Sequence, residues 1–455
     1  MDFADGSDFV KGIIELDVAA KSAGVYALSG VSSFPVLTAA VVRSLSSSFT
    51  QVLSIKGGIA PSPYAGVGLN VIRAIAAYAG KPVQLTRNKT VSTAYGLTES
   101  IRYTIGPPGY RPLRNIRFSL VDVPDLQLLP DLWPGLDSIW MGAGPVPEVL
   151  HRMLNGLAWL VRIRLLPSLS PFAPIFFYAI KYLRWGAHRG GMFVEVQGIQ
   201  SAGTLSTRSW HLLAEGNDGP YIPCMALQAI IERSLAGNNP PFGARPASLD
   251  LELQDYERLF EKRTIYTGQR DAVAAFDSLI FRNVLGSAWK QLPNTLKELH
   301  QNASDDVWSG TAKVERGAGF WAKRIASIFK FPKANQSVPV EVKISTKVHV
   351  EQWKRTFGQQ TFVSTLRPGE DDWDKLMSEQ LGPFRFGIAL IIENKKLYFK
   401  VQQWKLWNIP LPAIWAPIGN SYEFERDGKF HFHVEIAHPL LGLIVRYQGH
   451  LSQYN

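Results

Sequence analysis

The strictest constraint in this sequence is a long alternation of apolar and polar residues in its last third. The clearest case is NSYEFERDGKFHFHVEIAH at 420–438, and similar segments fill most of 338–453. Successive side chains of a strand point to opposite faces, so this alternation indicates strands with one buried face. ENKK at 393–396 and Asp427–Gly428 separate such segments, and Asp-Gly favours a type I′ hairpin turn. The pattern predicts a mainly antiparallel β domain over 272–455, with a curved or barrel-like sheet.

Two helical segments accompany these strands. Residues 277–301 have apolar residues at helical spacing and precede the strands. GAGFWAKRIASIFKFP at 317–332 predicts a short amphipathic helix with lysine and arginine on its polar side. The C-terminal domain is therefore expected to carry a helical start and one further surface helix.

The first 95 residues alternate helix and strand patterns instead. Apolar residues at helical spacing in 9–24 precede the strand VYALSG, and two more helix–strand pairs follow. Gly24 and Gly80 each follow a predicted helix, where glycine commonly ends one. This alternation favours a parallel sheet covered by helices, that is, an α/β domain.

Residues 96–270 carry further strands around one strongly apolar segment, 149–185. A membrane-spanning helix needs about 20 consecutive apolar residues. Arg162, Arg164 and several prolines interrupt the segment. Two interpretations remain: a buried helix pair with a tight turn, or a hairpin that dips into a bilayer surface with Arg, Lys and Trp at its rim.

Charge and cysteine content limit the partners and the compartment. The net charge is +10, yet lysine and arginine are scattered, so we expect no nucleic-acid partner. The first residues are acidic and polar, unlike a signal peptide. The single cysteine, Cys224, excludes an internal disulfide and is expected to be a small buried side chain. We therefore expect a cytoplasmic protein, with the inner face of the membrane as an alternative location.

One glycine pattern has the context of a dinucleotide-binding loop. GVGLNV, with Gly66 and Gly68, follows a predicted strand and opens a predicted helix. Its third position is Val71 rather than glycine or alanine, and an eight-residue loop separates it from the strand. Gly66 and Gly68 are thus a candidate phosphate cradle, beside the simpler interpretation of a flexible helix entry.

Several colinear segments of residues 1–270 resemble the saccharopine dehydrogenase-like (saccharopine reductase-like) oxidoreductases. The segments include DFADGSDFV, AGVYALSGVSSFPVLTAAVV, KGGIAPSPYAGVGLNVIRAI and RGGMFVEVQGIQSAGTLSTRSWHLLAEGNDGPYIPCMALQAI. In such proteins a Gly-rich Rossmann loop precedes the ADG segment, so the resemblance implies an amino-terminally shortened relative. It also implies a partial Rossmann-like parallel sheet at 1–95, which is the remnant of the dinucleotide-binding domain and the start of the substrate domain. Residues 96–270 would form an α+β substrate or dimerisation domain.

The C-terminal part carries a second resemblance. LGPFRFGIAL, LPAIWAP and DGKFHFHVEIAHPLLGLIVRYQGHL are similar to the domain of unknown function that follows such oxidoreductase domains in bacterial proteins. No activity comes with this resemblance, because the domain itself is uncharacterised.

The first resemblance implies NAD or NADP as cofactor, bound at loops rich in small residues. Small residues let a ring approach the backbone, and serine hydroxyls can bond a carboxamide or a sugar. A purely structural alternative is that the two serines cap the helix that follows them. The implied cofactor-binding residues are Asp5, Gly6, Gly30, Ser32, Ser33 and Pro35.

The segment RSWHLLAEGNDGP supplies the candidate catalytic residues. His211 titrates near neutrality, so it can exchange the proton that accompanies hydride transfer. Arg208 can bind a substrate carboxylate through a fork of two hydrogen bonds. The alternative is that both residues line a domain or dimer interface. A metal is not expected: His431, His433 and Glu435 share one strand face, but a solvent-facing row is the simpler account.

Two functional hypotheses follow. The first is an NAD(P)-dependent oxidoreductase acting on a small-molecule substrate, inactive alone if the Gly-rich loop is essential. The second is a non-catalytic lipid- or membrane-surface-associated binding protein that uses 149–185 and the amphipathic helix at 318–331. A homodimer and a peripheral membrane contact are the expected assemblies.

Overall fold

The computed structural model describes residues 1–145, 147–272, 279–301, 307–347 and 349–453. It divides into two compact units. The first comprises residues 1–107 and 115–272, and the second comprises residues 108–114 and 273–455. The predicted boundary near residue 272 adjoins residues outside the described range, and the three-segment division of the chain stays a prediction.

The first unit combines mixed sheets with helices. Its strands are β1 (Tyr26–Ser29), β2 (Phe49–Ala60), β3 (Pro82–Arg87), β4 (Thr90–Tyr95), β5 (Ser100–Ile105), β6 (Leu113–Leu120), β7 (Ser138–Ala143), β8 (Arg189–Gln200), β9 (Leu205–Glu215), β10 (Gly243–Pro246) and β11 (Ile265–Ala272). Its helices are α1 (Ser7–Gly12), α2 (Asp17–Ser22), α3 (Thr38–Ser46), α4 (Leu69–Tyr78), α5 (Asp125–Leu132), α6 (Glu148–Arg162), α7 (Ala173–Tyr182), α8 (Ile222–Leu235) and α9 (Leu253–Phe260).

A seven-stranded sheet forms the centre of this unit, in the order β11-β9-β8-β2-β7-β6-β5. β2 and β7 run parallel, whereas β2–β8, β8–β9 and β9–β11 pair antiparallel. The sheet is strongly curved, because Tyr103 of β5 stacks on Phe193 of β8 with ring centroids 3.7 Å apart. The helix α3 supplies buried side chains to the core on the other side of β8.

The first three predicted strands do not share one sheet. β1 pairs in parallel with the distant β10, β2 joins the seven-stranded sheet, and β3 forms a hairpin with β4. The α/β class is confirmed, but local alternation of helix and strand does not specify which strands become neighbours.

The second unit is built on a closed antiparallel sheet. Ten of its strands form a ring in the order β17-β16-β15-β14-β13-β12-β22-β21-β20-β18, and β18 also pairs with β17. The strands of the ring are β12 (Val307–Arg316), β13 (Asn335–Lys347), β14 (Val350–Phe357), β15 (Gln360–Pro368), β16 (Met377–Leu381), β17 (Phe384–Glu393), β18 (Lys396–Leu406), β20 (Ser421–Arg426), β21 (Lys429–His438) and β22 (Gly442–Gln453). The two-residue edge strand β19 (Ile409–Pro410) pairs with β18 outside the ring. The predicted antiparallel, barrel-like C-terminal domain is confirmed.

Turn chemistry explains two of its hairpins. Asp427 and Gly428 have φ of 53° and 68°, and Asn394 and Lys395 have φ of 51° and 58°. Type I′ turns require positive φ at both central positions, as the sequence predicted for Asp427–Gly428.

The described residues of the second unit also form the α-helices α10 (Ile280–Leu285), α11 (Asn294–Gln301) and α12 (Phe320–Ile328). The helix predicted over 277–301 is interrupted at Gly286, which has a φ of 52° and begins a 3-10 turn. The start of that predicted helix, Asp277 and Ser278, lies outside the described residues. α10 and α11 contribute Phe281 and Leu299 to the core inside the sheet.

Within the described parts of the chain, none of the helices combines the length and the hydropathy needed to cross a bilayer.

Candidate functional site

The apolar segment 149–185 folds into two helices, α6 and α7. Arg164 has a φ of 64° just after α6, and the connection contains Pro167, Pro171 and a 3-10 turn at Ser170–Phe172. One side of α6 packs tightly on the unit: a Cβ at Gly80 would lie 2.2 Å from the carbonyl oxygen of Ala158. Asn155 fixes the same side, because its amide donates to the carbonyl of Leu97 at 2.9 Å.

Charged residues hold both ends of α6. Glu148 in the first turn pairs with Arg102 at 2.6 Å and with Arg152 at 2.7 Å. Burial raises the pKa of Glu148, but the hydrogen bonds from these arginines outweigh it and leave the pKa below its usual value. At the other end, the guanidinium of Arg162 lies over the ring of Tyr95 in β4, 4.6 Å from its centroid. The helix is thus anchored along one side and at both ends.

An apolar cavity of about 380 Å³ lies between α6, α7 and the loop after β2. This volume falls within the range of about 300–1,000 Å³ that is typical of small-molecule sites. The walls are mainly aliphatic and aromatic side chains, among them Leu150, Leu154, Leu157, Phe176, Phe177 and Ile180.

The cavity opens through an exposed apolar face. Met153, Ile175 and Leu183 line it, yet they are 62%, 63% and 49% exposed. Further large exposed side chains on the two helices and their flanks are Val149, Trp159, Ile163, Leu165, Phe172, Tyr178, Tyr182 and Trp185. The helix pair is therefore only partly buried. One side packs against the rest of the unit, and the other side is apolar and exposed.

Polar groups meet the cavity at two places. His151 is buried, and neither ring nitrogen makes a hydrogen bond of normal geometry to the described part of the chain. Burial, with a smaller effect of Arg117, lowers the pKa of His151 to about 4, so its imidazole is neutral at pH 7. Lys181 and Arg184 line the cavity from exposed positions, and neither forms an ion pair with a described residue. The site thus combines apolar walls, one neutral imidazole and two cations.

The sequence interpretation missed His151 as a site residue. In the sequence, His151 lies within the apolar run VLHRMLNGLAWL, five residues before the mid-helix Gly156. Sequence alone does not show whether such a histidine faces a cavity or packs in a core.

The predicted cofactor loop lies at the end of β1. Gly30 has a φ of 70°, and a Cβ there would lie 3.0 Å from a methyl group of Val10, so this position requires glycine. The carboxylate of Asp2 accepts hydrogen bonds from the Ser29 hydroxyl at 3.0 Å and from the Gly30 amide at 3.1 Å. The loop is thus fixed by Asp2, a residue that the sequence interpretation did not select.

The other predicted cofactor residues take different environments. Ser32, Ser33 and Pro35 are buried, whereas Asp5 and Gly6 are exposed ahead of α1. Ser33 lines a second cavity of about 170 Å³, together with glycines of β8 and of the loop after β9. No side-chain hydrogen bond caps the helical turn at Ser33.

The predicted catalytic residues lie on opposite faces of β9. His211 is fully buried; its Nδ1 accepts from the Gly106 amide at 3.3 Å, and its Nε2 lies 2.9 Å from the Ser209 hydroxyl. Arg208 pairs with Asp271 at 3.3 Å and donates to the carbonyl of Leu45 at 3.2 Å. The structure does not bring the two side chains together, and their catalytic roles stay predictions.

Three further predictions concern glycines, histidines and the cysteine. Gly68 is the N-cap of α4 and Gly66 lines the 380 Å³ cavity, so the phosphate-cradle hypothesis stays a prediction. Glu435 pairs with Arg446 at 2.6 Å and His433 with Gln448 at 3.0 Å. Among the described residues, no cluster of His, Cys, Asp and Glu is arranged to hold a metal ion. The prediction that Cys224 is buried is wrong: it is exposed on α8, at the helix's outward side.

Residues 292–451 match the family model described as a domain of unknown function (DUF4166). No curated protein matches the chain. The solved structure of apo histidine-tagged saccharopine dehydrogenase (L-Glu forming) from Saccharomyces cerevisiae is similar with 13% sequence identity and a TM-score of 0.39. The similarity covers 57% of this chain and 77% of that one.

The family match lies within the second unit, in the part of the chain where the sequence resembles a domain of unknown function.

Proposed function

We propose that this protein binds an anionic amphiphile at a lipid surface, with the apolar tail in the cavity between α6 and α7. The observation that carries the proposal is that Met153, Ile175 and Leu183 both line the cavity and face solvent. An apolar cavity that opens through an apolar face offers a continuous path for an acyl chain.

The cations at the cavity select the charge of the ligand. Lys181 and Arg184 lie where a head group would emerge, and each can donate hydrogen bonds to a carboxylate or phosphate. His151 lies deeper, and as a neutral imidazole it accepts or donates one hydrogen bond without the cost of burying a charge.

The exposed aromatic side chains support a lipid surface as the source of the ligand. Trp159, Tyr178, Tyr182 and Trp185 are exposed on or beside the two helices. Tryptophan and tyrosine are favoured at membrane–water interfaces, because their rings are apolar and their N–H or O–H group stays hydrated.

Oleate is a suitable probe, titrated into the full chain and followed by calorimetry. Replacing Ile175 with glutamate places a carboxylate at the cavity mouth and should weaken oleate binding at least tenfold, about 1.4 kcal/mol. The position is exposed, so folding should be unaffected.

Val18→Glu is the matched control, because Val18 is another exposed apolar residue on a helix, away from the cavity. It should bind oleate as the unmodified chain does. Equal oleate affinity in Ile175→Glu and in the unmodified chain would contradict the proposal.

A second candidate function is that of an NAD(P)-dependent oxidoreductase. The observation that favours it is that Ser33, in the loop after β1, lines a cavity walled by Gly190, Gly191 and Gly216. Backbone without side chains lets a flat ring approach closely. At about 170 Å³, however, this cavity fits a ring of nicotinamide size rather than a whole dinucleotide.

Titration of NADPH and NADH into the full chain tests this candidate. Micromolar binding that Ser33→Ala weakens severalfold would support it, because alanine removes the hydroxyl and adds no atoms at this buried position. No binding by a chain that melts cooperatively would remove it.

A further inference from the structure

An exposed surface that combines apolar and cationic side chains lies on the second unit, at α12. One side of this helix is packed, because Ala322 and Ala326 are buried against β12 and β22. Arg316 secures its C-terminal end by donating to the carbonyl groups of Phe331 and Pro332. The helix therefore presents its remaining side as a fixed surface.

That outer side combines apolar and cationic residues. Phe320, Trp321 and Ile328 are exposed, the first two by 74% and 62%. Four exposed cations lie on the helix or just after it, and none forms an ion pair with a described residue: Lys323, Arg324, Lys330 and Lys333. The chain has no acidic residue between Glu315 and Glu341. The surface is thus positive without local compensation.

We propose that this α12 surface docks on a bilayer containing anionic phospholipids. The aromatic and aliphatic side chains enter the interface, while the cations lie against the lipid head groups. Charge complementarity favours an anionic partner, and exposed Phe and Trp side by side favour a fluid interface over a hydrophilic acidic protein. The inference is independent of the amphiphile cavity, because it uses a different unit and different residues.

The charge contribution has an expected size. Each lysine or arginine near an anionic surface strengthens partitioning about fivefold. Removing Lys323 and Arg324 should therefore weaken binding to anionic vesicles about 25-fold at low salt, and less at high salt.

The test is co-sedimentation of the full chain with vesicles of phosphatidylcholine, alone or mixed with phosphatidylserine. Lys323→Gln/Arg324→Gln should lose most of the gain that phosphatidylserine provides. Lys330→Gln/Lys333→Gln should behave alike, which covers the case in which one double variant fails to fold. Ile175→Glu should keep the dependence on phosphatidylserine, so failure of the cavity proposal is distinguishable from failure of this one.

Lys395→Gln/Lys429→Gln is the matched control, since it removes two exposed charges from hairpin positions of the same unit. It should partition as the unmodified chain does. Equal losses in this control and in the α12 variants would mean that only the overall charge matters, and would overturn the proposal. The proposal would equally be overturned if the chain bound polyglutamate but showed no preference for phosphatidylserine.

Discussion

The two units of this protein build their sheets from different kinds of pairing. In the second unit most neighbouring strands are consecutive in sequence, from β12 through β18. In the first unit β1 pairs with β10, and β2 lies between β7 and β8. Consecutive pairing needs only a turn, whereas distant pairing depends on which surfaces the whole chain buries. Local sequence patterns therefore predict strand pairing reliably in the second unit and incompletely in the first.

Substitutions in the two cores test most directly whether the two units unfold independently of each other. Trp210 on β9 and Trp308 on β12 are both buried, each in the core of its own unit. Replacing a buried tryptophan with alanine typically costs about 3–5 kcal/mol through lost burial and the cavity left behind. We expect calorimetry to show two unfolding transitions. Trp210→Ala should lower the midpoint temperature of one of them, and Trp308→Ala that of the other.

The two variants serve as controls for each other. If both lowered the same transition by the same amount, the units would unfold as one, and the contrast between them would apply to topology alone.

The units also differ in the partners of a carboxyl group that is shielded from solvent: Glu423 is half-buried, and Asp125 is fully buried. In the second unit, Glu423 lies 2.7 Å from His300, which stacks on Phe281 at 3.7 Å. In the first unit Asp125 is fully buried at the start of α5. Burial raises the pKa of Asp125 to about 7, and the Thr38 hydroxyl offsets this only in part.

Because the pKa of Asp125 is raised in the folded state, the free energy of unfolding depends on pH with a sign that follows from proton binding. Between about pH 4 and pH 7 the unfolded carboxyl is ionised while the folded one keeps its proton, so the folded state binds more protons. Asp125 therefore lowers the free energy of unfolding as the pH rises through this window. Asp125→Asn should remove that loss and stabilise the chain at pH 7 and above by about 1–4 kcal/mol.

The measurement is denaturant unfolding of both proteins from pH 4 to pH 8. The difference between them isolates Asp125, because the lowered pKa of His151 acts with the opposite sign and is common to both. A constant difference across this range would show that Asp125 ionises normally in the folded state.

Part of the candidate site was accessible from sequence. The apolar residues of 149–185, the interrupting arginines and the prolines predicted a helical hairpin, and the structure has α6 and α7 there. Whether its outward side is buried depends on what packs against it, and the sequence left both alternatives open. His151 and the cavity were not predicted, because a cavity is formed by segments far apart in the chain: the loop after β2, α6 and α7.

The alternation of apolar and polar residues and the turn residues were enough to specify the strands and turns of the second unit. The two-residue alternation specifies which face is buried, and the Asp427–Gly428 pair has the positive φ that its turn requires. The sequence likewise indicated the helical segments before Gly24 and Gly80, but the segment predicted as one helix over 9–24 is divided into α1, a 3-10 turn at Ile13–Leu16 and α2.

The remaining strand pairings, side-chain contacts and exposed surfaces depend on which distant segments of the chain pack together. The tertiary structure joined β1 to β10, paired β12 with β22, and placed His211 in hydrogen bonds with Ser209 and Gly106. It also left the outer sides of the α6–α7 hairpin and of α12 exposed. The physical reason is that periodicity records which side of an element is apolar, whereas burial depends on the other surfaces that the folded chain brings against it.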